Sequence, residues 1–179
     1  MGGGATVTDE DDWLPELWTL PKAGGDWSTF VESAYDIFRR DFVDSQPLFR
    51  RLQVRCRRDP IEEDGKEAGF WHCTSEGPNE PDRVPALRRC ERIAWVRAII
   101  ENSIEPGVDV WENERNKEVR TVLWYREEFL VVLAARSRYR DGFRYFQLIT
   151  AYDSPEKHRK QNLRKERDEY RKRLTPPPR

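Results

Sequence analysis

Residues 119–134 read Val119-Arg120-Thr121-Val122-Leu123-Trp124-Tyr125-Arg126-Glu127-Glu128-Phe129-Leu130-Val131-Val132-Leu133-Ala134. Two runs rich in β-branched and aromatic residues flank a polar connector of three residues, short enough to require an antiparallel hairpin. Phe129–Ala134 is apolar on both faces, which predicts a central strand. Working outward, Val108–Trp111 and Phe143–Ile149 have the same character, separated by Glu114-Arg115-Asn116-Lys117 and by Ser137–Gly142. A four-strand antiparallel meander is the expected centre of the fold.

Upstream, Phe30, Ala34, Phe38 and Phe42 recur every fourth residue with Val31 and Tyr35 beside them, predicting a helix over Trp27–Phe42 capped by Asp26. Leu52, Val54 and Cys56 alternate with Gln53, Arg55 and Arg57, the period of a half-buried strand with a cationic outer face. Residues 59–69 read as a loop, and Phe70–Thr74 as a short strand presenting His72, broken by Gly77-Pro78-Asn79-Glu80-Pro81. From Pro85, the residues Leu87, Cys90 and Ile93 predict a short helix carrying Arg88, Arg89, Glu91 and Arg92 on its other faces. Trp95, Ile99 and Ile100 either extend it or form an irregular link. Ser154 and Pro155 open a long polar helix to about Leu174 that Pro176–Pro178 stop.

The predicted fold class is therefore α+β: N-terminal helices packed on an antiparallel meander of four to five strands, followed by a basic C-terminal helix. Residues 27–175 are expected to form one domain. Residues 1–26 read as an N-terminal tail docked by Trp13 and Trp18, and residues 176–179 as a C-terminal tail.

The net charge of −1 conceals segregation among the 36% of residues that are charged. Asp9–Asp12 are acidic, whereas Arg50–Arg58 and Lys157–Arg173 are basic. Seven Trp and eight Phe supply the buried area that the low aliphatic content does not. Cys56, Cys73 and Cys90 lack metal-type spacing, so reduced thiols, no metal and no cofactor are expected. Without a long apolar run or a signal-peptide pattern, the chain is expected in the cytoplasm and off the membrane.

His72 is one of two histidines and lies ahead of Arg88-Arg89-Cys90-Glu91-Arg92. Ribonuclease chemistry needs a group that exchanges a proton near neutral pH and fixed cations for phosphate. His72 could supply the first, and Arg88, Arg89 or Arg92 the second, since a guanidinium does not neutralise itself. Glu91 is the competing base. Thr150 and Tyr152 share a strand face and could meet the same phosphate. The bland readings are a structural histidine, a solvated arginine helix and an ordinary strand end. On the last helix, His158 reads as a surface residue, while Lys157, Arg159, Lys160 and Arg164 are candidate RNA-backbone contacts.

Helices followed by a four-strand meander, with Phe70-Trp71-His72, Arg88-Arg89-Cys90-Glu91-Arg92 and the closing Gln147-Leu148-Ile149-Thr150-Ala151-Tyr152, resemble the nuclease superfamily that joins barnase, EndoU, colicin-type ribonucleases and RelE. The chain looks most like the phage- and mobile-element-associated branch, over roughly residues 50–165. The resemblance implies a metal-independent endoribonuclease that leaves a 2′,3′-cyclic phosphate, a toxin or defence effector with a cognate antitoxin or immunity protein. His72, Glu91, Arg92, Thr150 and Tyr152 are the catalytic candidates on this reading. The strands lack a second histidine, which departs from the EndoU pattern. The alternative is a non-catalytic RNA- or protein-binding module, or an antitoxin-type partner. Convergence of His72, an arginine of the 88–92 run and Thr150 or Tyr152 on one cleft separates the two.

Overall fold

A computed structural model describes residues 12–61, 64–77, 82–115, 117–153 and 157–175. Among them the four β runs form the expected meander: β5 (Val108–Arg115), β6 (Glu118–Tyr125), β7 (Phe129–Ser137) and β8 (Arg144–Asp153), each antiparallel to the next. β7 lies inside the sheet, between β6 and β8.

The sheet is larger than the meander. β1 (Leu48–Phe49) and β2 (Leu52–Arg55) extend it to six strands in the order β1-β2-β8-β7-β6-β5, and β2 runs parallel to β8. The predicted all-antiparallel sheet of four to five strands is corrected to a mixed sheet of six. The physical reason is the long connection between β2 and β8, which carries several helices and so permits parallel pairing that no short turn allows. A two-stranded ribbon joins β3 (Ser75–Glu76) to β4 (Val84–Pro85).

One face of the sheet is covered by α1 (Trp27–Phe38), α2 (Ala68–Thr74), α3 (Leu87–Glu91) and α4 (Ile93–Glu101). Asp26 caps α1 by accepting from the Thr29 N–H at 2.7 Å, and Phe30, Val31, Ala34 and Phe38 form its buried stripe. The predicted helix to Phe42 ends earlier as a regular α-helix. From Arg39 to Val43 it widens into a single π turn that buries Asp41 and Phe42 together. Trp13, Leu14, Leu17 and Trp18 pack onto the same core, and residues 1–11 lie outside the described ones.

The opposite face carries a smaller cluster, Trp111, Val122, Trp124 and Leu130, closed by Leu163 of α5 (Lys157–Leu174). Ser154 and Pro155, expected to open α5, and residues 176–179 lie outside the described residues. Among those described, no helix is long and apolar enough to cross a membrane.

Candidate functional site

The predicted Phe70–Thr74 strand is a helix. Phe70, Cys73 and Thr74 are buried at helical spacing, and Phe70 packs edge-on to Tyr35 and Phe38 with ring centroids 5.3 and 5.6 Å apart. Tertiary contact thus overrides the β propensity of Phe, Trp and Thr. At its start a Cβ on Gly69 would come 2.8 Å from the Arg57 carbonyl, so glycine lets α2 abut the end of β2.

The C-terminal carbonyls of α2 have no partner within the helix and must find one outside. Trp71 O accepts from the Ser75 N–H and hydroxyl, Thr74 O from the Ala86 N–H, and Thr150 Oγ1 of β8 donates to His72 O at 2.8 Å. Thr150 therefore fixes the turn that bears His72. On its ring, Nδ1 lies 2.8 Å from the Arg83 guanidinium. A guanidinium only donates, so Nδ1 is the acceptor and the proton sits on Nε2.

The hydroxyl of Thr150 and the ring of Tyr152 reach this face because β8 is bulged. The register shifts between Val132 and Leu133, leaving Ile149 unpaired between Leu148 and Thr150. Leu148 and Ala151 consequently both enter the helix-side core although three residues apart, while Thr150 and Tyr152 turn the other way.

There they line a cavity of about 240 Å³ with Arg83, Arg89, Arg120 and Arg159. Arg115 and Asn113 of β5 complete its far wall. Two guanidiniums lie over the Tyr152 ring, Arg89 at 5.5 Å and Arg159 at 5.8 Å from its centroid. Arg120 and Arg115 are each paired, to Glu118 at 2.9 Å and Glu166 at 3.2 Å. Arg83, Arg89 and Arg159 form no ion pair among the described residues. Burial lowers the pKa of Arg89 from its ordinary value, and among the described residues its guanidinium donates to the Ser75 carbonyl at 2.7 Å. The Glu76 and Asp153 carboxylates act on it only from a distance, and a partly buried cation whose direct hydrogen bond goes to a neutral oxygen is stabilised by an incoming anion.

The structure brings Arg89, Thr150, Tyr152 and Arg159 to one cavity, with His72 joined to it through Arg83 and Thr150. It does not bring Glu91 and Arg92 there. Arg92 pairs with Glu91 at 3.5 Å and Asp153 at 3.4 Å and covers the Trp95 ring, on the helix side of β8. Arg88 and Lys157 are exposed away from the cavity wall. Arg164 is bound to Glu127. The Arg164 hydrogen bond lowers the Glu127 carboxyl below its ordinary value, and Lys160, half-buried on α5, adds a smaller share. Among the described residues no three His, Cys, Asp or Glu side chains gather as a metal site.

Sequence reasoning missed Arg83, Arg115, Arg120 and Asn113. Arg120 had a signal, because it shares a strand face with the core residues Val122 and Trp124, where an arginine needs an acidic or anionic partner. Arg83 had none, since it stands in an irregular segment. Compared with protein-family models, curated proteins and solved structures, the chain matches none.

Proposed function

We propose that the chain is an endoribonuclease that needs no metal, acting as a toxin or defence effector in the manner of the superfamily it resembles. The observation that carries this reading is the cluster of Arg83, Arg89 and Arg159, cations without carboxylate partners among the described residues, around Thr150 and Tyr152 and next to His72. Such a cavity suits a phosphodiester, whose charge it neutralises and whose phosphorane it stabilises further.

In the proposed reaction the 2′-oxygen bonds to phosphorus as the bond to the 5′-oxygen breaks, giving a 2′,3′-cyclic phosphate. Arg83 holds the Nδ1 lone pair of His72. A phosphate that takes Arg83 as its own partner leaves that lone pair to accept the 2′-hydroxyl proton. Tyr152, a wall of the same cavity, is the candidate to return a proton to the leaving 5′-oxygen. Glu91 has no part in this scheme, being held by Arg92 on the other side of β8. A cognate antitoxin or immunity protein remains an implied partner.

A second reading, a non-catalytic RNA-binding module, is favoured by the single histidine near the cavity, which leaves one imidazole where general acid and base are both wanted. Induced expression of the wild type beside His72→Ala and Arg89→Gln tests both. The nuclease reading expects arrested growth and fragmented RNA for the wild type alone. In vitro it expects cleavage lowered roughly a hundredfold or more by either substitution, an unchanged melting temperature and no effect of chelator. Equal cleavage by wild type and His72→Ala removes His72 from the mechanism. RNA binding without any cleavage selects the binding module.

A further inference from the structure

A second cavity, of about 510 Å³, opens at the β2 end of the sheet, reaching from strand residues that face the same way as Thr150 and Tyr152 round to Phe42 and Cys56 at the margin of the helix-side core. Arg55 of β2, Tyr145 and Gln147 of β8, Arg138 of the β7–β8 turn, and Arg58 beyond β2 line it. The bulge at Ile149 is what keeps the β8 walls of the two cavities on one face. It sets Tyr145 and Gln147 in phase with Thr150 and Tyr152, and Arg55 stands beside Gln147 in the parallel register. Gln147 and Thr150 are three residues apart, so the cavities are separated by about 10 Å along β8. No residue of α5 lines the second cavity, which leaves that end of the sheet uncovered.

The chemistry of this cavity differs from that of a salt-bridged surface. The Phe143 and Tyr145 rings stack at 6.1 Å and 24°, and the Arg55 guanidinium lies over both, 4.9 and 5.6 Å from their centroids. Arg138 covers Phe143 as well, at 5.4 Å, but is neutralised by Asp141, and Asp59 is the one carboxylate in the lining. The hydrogen bonds of Arg55 go to the neutral Gln53 amide oxygen, and neither Arg55 nor Arg58 forms an ion pair among the described residues. Half-buried rings under the Arg55 guanidinium, which has no carboxylate partner among the described residues, are what an unpaired base and its phosphate require, the ring offering a stacking surface and the cation a counter-charge. The volume falls in the range that holds one small ligand or nucleotide. A duplex would keep its bases stacked on each other and find no use for the rings.

We propose that the second cavity is a subsite for single-stranded RNA, so that one strand running along β8 fills both cavities, its reacting phosphate at Arg89 and a flanking nucleotide at Arg55 and Tyr145. This rests on the nuclease reading for the first cavity and names its substrate as unpaired RNA longer than a dinucleotide.

The test uses the full chain and a fluorescent twelve-nucleotide single strand with 2′-O-methyl sugars, which lacks the nucleophile and cannot be cut. Arg55→Gln is expected to weaken binding roughly tenfold and to flatten the dependence of log affinity on log salt by about 0.7, one phosphate contact of a single strand. Tyr145→Leu is expected to weaken binding comparably with an unchanged salt slope, because it removes stacking and no charge. Turnover of a dinucleotide, which spans only the first cavity, should be the same in both variants and the wild type. Should Tyr145→Leu fail to fold, Arg55→Gln on its own decides. Wild-type affinity and salt slope in Arg55→Gln overturn the subsite, as does equal binding of a blunt RNA duplex. Weakened binding by the variants when no RNA is ever cut supports the subsite and sinks only the nuclease reading, whereas cleavage with unaltered twelve-nucleotide binding does the reverse.

Discussion

On the helix-covered side of the sheet, Phe30, Phe38, Phe70, Ile99 and Leu133 are closed off from water entirely, whereas the other side sets a small cluster of Trp111, Trp124 and Leu130 beside two arginine-lined cavities. Both faces belong to the same strands, and alternate residues feed each. The difference teaches how a chain of low aliphatic content tolerates unneutralised charge. Apolar burial on one side supplies the stability, so the other side is free to keep guanidiniums that destabilise the fold slightly and attract an anion. α5 belongs to this second side, and it is held there largely by charge: Arg167 pairs with Asp109 at 2.6 Å, Arg164 with Glu127, and Arg115 of β5 with Glu166.

The two faces should differ most in what a cavity costs them. Phe38→Ala should lower unfolding free energy by about 3–5 kcal/mol, and Leu163→Ala, which opens a space at the edge of the smaller cluster, by about 2 kcal/mol. Denaturant titration of the two variants reads the difference, and equal losses would show that α5 is an integral part of the main core.

A second expectation concerns the buried thiols. Burial pushes Cys73 and Cys90 up to about 12 and Cys56 up to about 11. In the unfolded chain the same thiols ionise near pH 8.5. The folded state therefore holds these protons more tightly. Its advantage is whole below pH 8.5 and is lost as pH rises through 11 to 12. Melting temperature should fall across that window, and iodoacetamide should label the native chain slowly at pH 8 but the denatured chain at once. Rapid native labelling would place a thiol at the surface and contradict the dry core.

The ion pairs of α5 should each matter little. Arg164→Gln removes an exposed ion pair with Glu127, and such pairs contribute at most about 1 kcal/mol. A loss of several kcal/mol would mean that α5 is anchored through this one contact rather than through many.

The meander was legible because its signals are local: alternation, short connectors and a doubly apolar β7. The position of β2 was not, since parallel pairing with β8 joins segments some ninety residues apart that share no pattern. The helix at Phe70–Thr74 was hidden for a different reason. Seven residues make too few turns for a period to show, and the flanking glycine and aromatics mimic a strand. Of the site, Tyr152 and Arg89 were readable as residue types that bind phosphate, and Thr150 as their neighbour on a strand face. The role of Thr150 as a cap for α2 was not readable, because its acceptor is a backbone carbonyl, and every residue has one. The separation of Arg89 from Arg92 was equally hidden. Three residues apart on a short helix, they diverge because the chain turns at Arg92 before α4 begins.

The extra residue in β8 gives this site an arithmetic of its own. Ile149 takes up one residue without a partner: paired regularly with Ile149 kept in step, Thr150 and Tyr152 would fall in with Leu148 and point into the helix-side core. Deleting Ile149 would leave plain alternation, Leu148 in, Thr150 out and Ala151 in, so the site would keep its facing. Deleting a residue on either side of it, or ironing out the bulge with the residue kept, would exchange inside for outside over the end of the strand. Substitutions along β8 can tune the cavity by degrees, but a change in what the bulge absorbs acts as a sign change.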